Sequence, residues 1–208
     1  PWLYDELKKY MQPTHRVVVI AFSFRDSQAK SLADWNCLYS KSNGRFYGGI
    51  VSGFGAYGIS EENVSFINYF TDTKESAKEK IDSAGILYFL GGLPDRMMDR
   101  IKEFDLKDVL MKHKGIVMGY SAGAVIQLAE YHLSPDDDYP EFQYYEGLPY
   151  LNDFYLEVHY EGQDAQKAAI QKVLEERKKT VYATAIMKGA ILVDNGIIKL
   201  LGDVEEYN

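Results

Sequence analysis

Cysteine is almost missing from this 208-residue chain: Cys37 stands alone. A lone thiol excludes an internal disulfide and suits a reducing cytoplasm, which is the expected location. Positive charge is also scarce. Lysine and arginine total 23 against 31 acids, a net charge of −8. The basic footprint that grips phosphate backbones is lacking, so no nucleic-acid partner is expected. No apolar run reaches the roughly 18 residues a membrane span needs, so no membrane association is expected. A basic-then-apolar leader is lacking too, and the chain starts on Pro1 rather than Met. The four histidines and the cysteine show no metal-ligand spacing, so no metal is expected. Gly53, Gly55 and Gly58 are spaced too irregularly for a phosphate-binding loop, and no cofactor is expected. Repeats and low-complexity segments are absent.

What is present is globular. Hydrophobic residues make up 46% and charged residues 26%, enough for a sizeable core and too apolar for disorder. The length suits one large domain or two small ones, and a single α/β domain over 1–208 is the expectation. Tyrosine is unusually common, with 17 copies.

Short apolar runs alternate with helical patterns. Val17 to Phe22, Ile86 to Leu90 and Gly115 to Gly119 read as buried strands because they lack polar alternation. Phe66 to Phe70 is a weaker strand. Helices are predicted over Gln28 to Tyr39, Lys74 to Ser83, Pro94 to about Lys102, Asp105 to His113, and from Ser121 to about Ala129. Phe154 to Tyr160 reads as a strand. Gln163 to Lys178 reads as an amphipathic helix with Ala165, Ala168, Ala169, Val173 and Leu174 on one stripe. Val181 to Met187, Ala190 to Val193 and Ile197 to Leu201 complete the strands, and Asn195-Gly196 signals a type I′ hairpin. This order implies a mainly parallel central sheet with helices on both faces and a C-terminal antiparallel hairpin.

Gly119-Tyr120-Ser121-Ala122-Gly123 lies between a predicted strand and a predicted helix, as a nucleophile elbow does. The tight turn exposes Ser121 above the sheet edge, small neighbours let strand and helix approach, and the helix N-terminus favours a developing oxyanion. The plainer role is a serine N-cap with glycine-assisted packing. A serine nucleophile needs a base. His15 precedes the first strand, at the wrong end for an open α/β site. His113 sits between two lysines at a helix end, and His132 has no evident role. His159 falls near the carboxyl end of its strand, where ligands of such folds bind. Gly91-Gly92 follows another strand end and reads equally well as half of an oxyanion hole or as a plain turn.

A glycine pair after a strand, then Gly119 to Ala124 (GYSAGA), then a strand ending in Val158-His159, resembles the peptidase E and cyanophycinase family of serine peptidases. The likeness runs from about Val17 to Leu201. It implies a fold similar to the class I glutamine amidotransferases, with serine replacing cysteine at the elbow. It also implies Ser121 as nucleophile, His159 as base, and the Gly92 and Ala122 N–H groups as the oxyanion hole. An ordinary α/β-hydrolase fits less well, because only 38 residues separate Ser121 from His159.

The likeness has gaps. The turn where relatives carry the third triad member, a glutamate, aligns on Met187-Lys188-Gly189, and Lys188 cannot accept a bond from imidazole. Glu157, two residues before His159, and Asp136, which matches an aspartate position in peptidase E, are the candidate substitutes. Asp136, Asp137 and Asp138 otherwise read as a solvated loop. Aspartate-preferring relatives place an arginine soon after the histidine, where this chain has Gly162-Gln163-Asp164-Ala165, so aspartyl specificity is not expected. Tyr144, Tyr145 and Tyr150 are candidates for a different pocket wall or for core packing. The expectation is a serine peptidase acting on small peptides, with a homodimer as the candidate assembly. The alternative is a degenerate binding or regulatory protein, motivated by Lys188.

Overall fold

The computed structural model describes residues 2–208, and the chain falls into two compact units. The first runs over Leu3–Ala124 and the second over Val125–Asn208, with Trp2 belonging to the second.

The first unit is built on a four-stranded parallel sheet. Its strands are β1 (Val17–Ile20), β2 (Val64–Ile67), β3 (Ile86–Phe89) and β4 (Ile116–Gly119), in the order β2-β1-β3-β4. β1 is buried at every position, as expected of a strand covered on both faces. Helices α1 (Tyr4–Leu7), α2 (Leu32–Tyr39), α3 (Tyr47–Gly55), α4 (Lys74–Ser83), α5 (Pro94–Glu103) and α6 (Lys107–Lys112) accompany the sheet, with a 3-10 turn at Glu61–Asn63. Local chemistry fixes several ends. Thr73 and Ser76 form a reciprocal capping box on α4, and Pro94 occupies the opening turn of α5. The weak strand predicted over Phe66 to Phe70 is β2, shifted to begin at Val64. α3 was not predicted. Its Gly48, Gly49, Gly53 and Gly55 each cost a helix about 1 kcal/mol relative to alanine, and it forms by laying Phe54, Ile50 and Val51 against Trp35, Tyr39 and Ile59.

The predicted helix from Ser121 to Ala129 is cut to a single turn, α7 (Ala122–Val125). Backbone groups beyond it pair elsewhere. The Ala129 N–H donates to Leu151 O, while Leu148 N–H and Gly147 N–H donate to Ile126 O and Ala129 O. These pairings within the second unit outcompete helical propensity.

The second unit begins with an antiparallel pair, β5 (Glu130–Leu133) and β6 (Gln143–Glu146), which the sequence pattern did not reveal. A three-stranded sheet follows, with β7 (Tyr155–Val158) parallel to β8 (Val181–Asp194), and β8 antiparallel to β9 (Ile197–Tyr207). α8 (Asp164–Arg177) makes the crossover from β7 to β8. Its buried stripe is Ala169, Ile170 and Val173, whereas Ala165 and Ala168 are exposed. The two strands predicted over 181–193 are one, interrupted by a bulge between Thr184 and Gly189. Asn195 (φ 50°) and Gly196 (φ 80°) form the expected hairpin turn, both left-handed as type I′ requires. Glu130 anchors α8 by accepting a bond from Arg177 Nε at 2.6 Å, and this charge-assisted bond holds its carboxyl below the usual range.

No helix among the described residues is long and apolar enough to cross a membrane.

His113, at the end of α6, carries a measurable consequence. Desolvation holds its imidazole below the ordinary 6.5, and Nε2 is buried without a hydrogen-bond partner among the described residues. The unfolded chain therefore takes up this proton at higher pH than the folded one. Stability should be full above the ordinary histidine value and fall as pH drops below about 6.5. Urea titrations at stepped pH should show that decline, and His113→Asn should remove part of it.

Candidate active site

Register in the parallel sheet aligns three strand ends. Ile20 of β1 pairs with Phe89 of β3, and Phe89 pairs with Gly119 of β4. The segments leaving these strands therefore emerge side by side at the carboxyl edge, where open α/β sheets bind ligands. They carry Ser23, Gly91-Gly92 and Tyr120-Ser121.

Ser121 has φ 53°, a left-handed conformation that side chains rarely adopt. That is the strained turn a nucleophile elbow requires. Gly123 shows how tightly the turn is drawn. A Cβ there would lie 2.1 Å from Phe89 O, so only glycine lets α7 start this close to β3. Gly91 is equally confined: a Cβ would stand 2.8 Å from the Tyr120 ring and 3.4 Å from Ser121 Cβ. The glycine pair and the elbow are thus in contact. Ala122 is buried behind the serine, which itself remains partly accessible. Gly92 has φ 139°, open to glycine alone, and a Cβ would overlap Ser23 O at 2.3 Å. The first unit therefore brings together Ser121, Ala122 and the glycine pair. With α7 only four residues long, the summed dipole expected of a longer helix shrinks to the nearby N–H groups.

The second unit holds the remaining candidates. His159 follows β7 directly, is exposed, and has φ 55°. Its carbonyl accepts a bond from Gln166 Nε2 at 3.0 Å, which ties this turn to α8. Glu157 lies one pleat earlier but is buried. Its Oε2 is hydrogen-bonded to His132 Nε2 at 2.8 Å and accepts a bond from Ser134 Oγ at 2.7 Å. The left-handed turn at His159 breaks the strand alternation that would set both side chains on one face. Asp136 is exposed, and its Oδ1 accepts bonds from the Asp138 and Tyr139 N–H groups, both at 2.8 Å. This is an Asx-type turn that leaves Oδ2 out of the loop bonding. Lys188 is exposed within the β8 bulge, beside Met187 with φ 59°.

Tyr144 and Tyr145 make packing contacts and are only half-buried, as is Tyr150. Tyr144 lies against the core of Tyr155, Ile170 and Val173, with the Arg177 guanidinium 3.8 Å from its ring centre. Its hydroxyl donates to Glu176 Oε2 at 2.9 Å. Tyr145 stacks on the fully buried Tyr131. Burial pushes the Tyr150 hydroxyl above its usual range. A small cleft of about 210 Å³ lies beyond His159, lined by Tyr160, Glu161, Gly162, Asp203 and Glu205 among others.

Two features escaped the sequence reading. Ser23 is fully buried and bonded to the glycine pair. The available signal was its place as the first polar residue after the run Val17 to Phe22. The His132–Glu157–Ser134 cluster carries no sequence signal, because tertiary packing of β7 against β5 and the residue after it assembles the cluster from positions far apart in the chain. His132 Nδ1 has no hydrogen-bond partner among the described residues, and its ring stacks on Phe142. No group of three or more histidine, cysteine or acidic side chains suited to a metal occurs among the described residues.

The model of Peptidase family S51 matches residues 50–201. Two solved structures are similar across nearly the whole chain. One is a candidate peptidase E protein from Listeria monocytogenes EGD-e, at 14% identity and a TM-score of 0.65, covering 96% of this chain and 92% of the other. The second is a peptidase from an acI-B1 Actinobacterium, at 15% identity and a TM-score of 0.65, covering 100% of this chain and 88% of the other. No curated protein sequence matches the chain.

The elbow geometry predicts that Gly123→Ala destabilises the fold by about 3 kcal/mol, the upper end of overpacking penalties, because backbone rather than a flexible side chain blocks the methyl group. A lowered urea midpoint with an unchanged slope would verify it.

Proposed function

We propose that this chain, which belongs to peptidase family S51 and is a serine-type peptidase, cleaves small peptides with Ser121 as nucleophile. The observation that carries the reading is the left-handed backbone of Ser121 inside Gly-Tyr-Ser-Ala-Gly, directly against the Gly91-Gly92 turn. His159 is the base that removes the Ser121 proton and returns it to the leaving amine. The oxyanion of the tetrahedral intermediate rests on the Gly92 and Ala122 N–H groups. Collapse of that intermediate releases the amine, and water then hydrolyses the acyl-enzyme. A serine-reactive fluorophosphonate should label the wild-type protein and leave Ser121→Ala unmodified. Equal labelling of both would remove Ser121 from the mechanism.

For the acid that orients His159, Asp136 is favoured over Glu157. Glu157 is buried and committed to His132 and Ser134, whereas Asp136 is exposed and keeps Oδ2 outside its turn. Asp136→Asn should lower kcat by up to about 10⁴-fold, as loss of the orienting acid does in other serine proteases, with thermal stability unchanged. Glu157→Ala should instead act on folding, costing about 1–3 kcal/mol by leaving the buried His132 Nε2 without its partner. A kcat loss for Glu157→Gln in a fully folded protein, with none for Asp136→Asn, would reverse the assignment.

The surroundings of His159 disfavour acidic substrates. Glu161 and Asp164 follow it, and Asp203 and Glu205 line the adjoining cleft. A substrate carboxylate there meets more acids than bases: among the described residues the one cation near the cleft is Lys167, whose Nζ stands 3.9 Å from where a Gly162 Cβ would be, and no arginine lines it. In a dipeptide panel, Asp-Xaa substrates should turn over no faster than neutral ones. A strong preference for aspartate would contradict this.

A further inference from the structure

We propose that Ser23 is the positioning residue of the oxyanion site, acting by fixing which way the Gly91–Gly92 peptide faces. The inference rests on the reading of Ser121 and Gly92 given above and identifies what holds that arrangement.

Glycine pairs are poorly suited to holding a catalytic N–H. Both residues accept left-handed and right-handed backbone, so the peptide between them can rotate to present either its N–H or its carbonyl. A carbonyl turned toward a developing oxyanion would repel it. Something outside the pair must choose the orientation, and the structure supplies it in one side chain. Ser23 Oγ donates to Gly91 O at 2.6 Å. A trans peptide is planar, and its C=O and N–H point in opposite directions. Fixing the Gly91 carbonyl toward Ser23 therefore fixes the Gly92 N–H away from Ser23.

Sheet order says where that direction leads. Ser23 follows β1, the glycine pair follows β3 and Ser121 follows β4, and β3 lies between the other two. A carbonyl held on the β1 side aims the N–H at the β4 side, where the Tyr120 ring and Ser121 Cβ stand 2.8 and 3.4 Å from the point a Gly91 Cβ would occupy. The other flank of Gly92 is tied to the same residue, since Leu93 N–H donates to Ser23 O at 2.8 Å. Gly92 is thus suspended between two bonds to Ser23, with no space for a Cβ.

Ser23 is itself held rigidly. It is wholly buried, and the backbone on both sides is clamped by Arg100 of α5. Arg100 Nη1 donates to Phe22 O and Phe24 O, Nη2 donates to Asp26 Oδ1 at 2.7 Å, and the guanidinium lies 3.7 Å from the Phe24 ring centre. A buried arginine spent on the carbonyls either side of one serine makes that serine a fixed point. The hydroxyl then transfers this rigidity to a peptide that has none of its own.

The test uses the full chain and the fluorophosphonate probe: Ser121 Oγ attacks its phosphorus, negative charge builds on the phosphoryl oxygen, and fluoride leaves. Progress curves separate the limiting rate, kinact, from the binding constant, KI, and thermal melting monitors the fold. Ser23→Ala should lower kinact by about 10–100-fold, less than the 10²–10³ typical of deleting an oxyanion donor outright, with KI unchanged. Ser23→Cys is nearly isosteric and keeps only a weak donor, so its kinact should fall between wild type and alanine. If the alanine variant fails to fold, the cysteine variant alone decides by the same split. Wild-type kinact in a folded Ser23 variant, or a loss confined to KI, would overturn the proposal. Failure of the wild type to label at Ser121 would instead overturn the nucleophile assignment, so the two ideas fail separately.

Discussion

Everything in the candidate site of the first unit depends on the register of a parallel sheet. Because Ile20, Phe89 and Gly119 lie in one row, three chain segments leave the sheet at the same height. Parallel pairing makes this possible, since each strand must return by a crossover before the next begins, and all carboxyl ends then share one edge. A shift of β4 by one residue would displace Ser121 along the strand axis and turn its side chain to the other face. The chemistry is therefore fixed by hydrogen bonds made well below it, among apolar residues that take no part in it.

Above that edge the structure gives up conformational comfort for placement. Ser121 and His159 both hold left-handed backbone without being glycine, and Gly92 occupies a region that only glycine enters. Such geometry persists only where the surroundings over-determine it. For Ser121 they do so through the close approach of Gly123 to Phe89 O. For Gly92 the restraint comes from the two bonds to Ser23. The His159 turn is tied to α8 through Gln166.

The sequence was most legible where one local signal sufficed. The apolar runs of β1, β3 and β4, the Lys74–Ser83 helix and the Asn195-Gly196 turn all announce themselves, as does the elbow at Ser121. It was least legible where tertiary pairing overrides local preference. α3 looks unlike a helix because four of its nine residues are glycine. The helix after Ser121 looks longer than it is, because Ile126 to Ala129 trade helical bonds for pairing with residues 147–151. Glu157 illustrates the same limit at the level of side chains. Its spacing from His159 suggested a shared strand face, but that inference assumed regular alternation through His159, and the backbone turns left-handed there. The partners of Glu157 are His132 in β5 and Ser134 just after it, twenty-five and twenty-three residues earlier, at a distance no local pattern reports.

The crowding of backbone around the elbow has a consequence for how such a site can diversify. Position 91 is closed to a side chain by the Tyr120 ring, and positions 92 and 123 by the backbone oxygens of Ser23 and Phe89, which no exchange of side chains can clear. Position 121 enters one of these approaches through its Cβ alone, 3.4 Å from where a Gly91 Cβ would stand, an ordinary van der Waals distance. The Ser121 Oγ is not among the atoms nearest to any of these three glycine positions. The scaffold is thus rigid in its glycines, and the crowding acts on backbone and Cβ positions rather than on the serine hydroxyl.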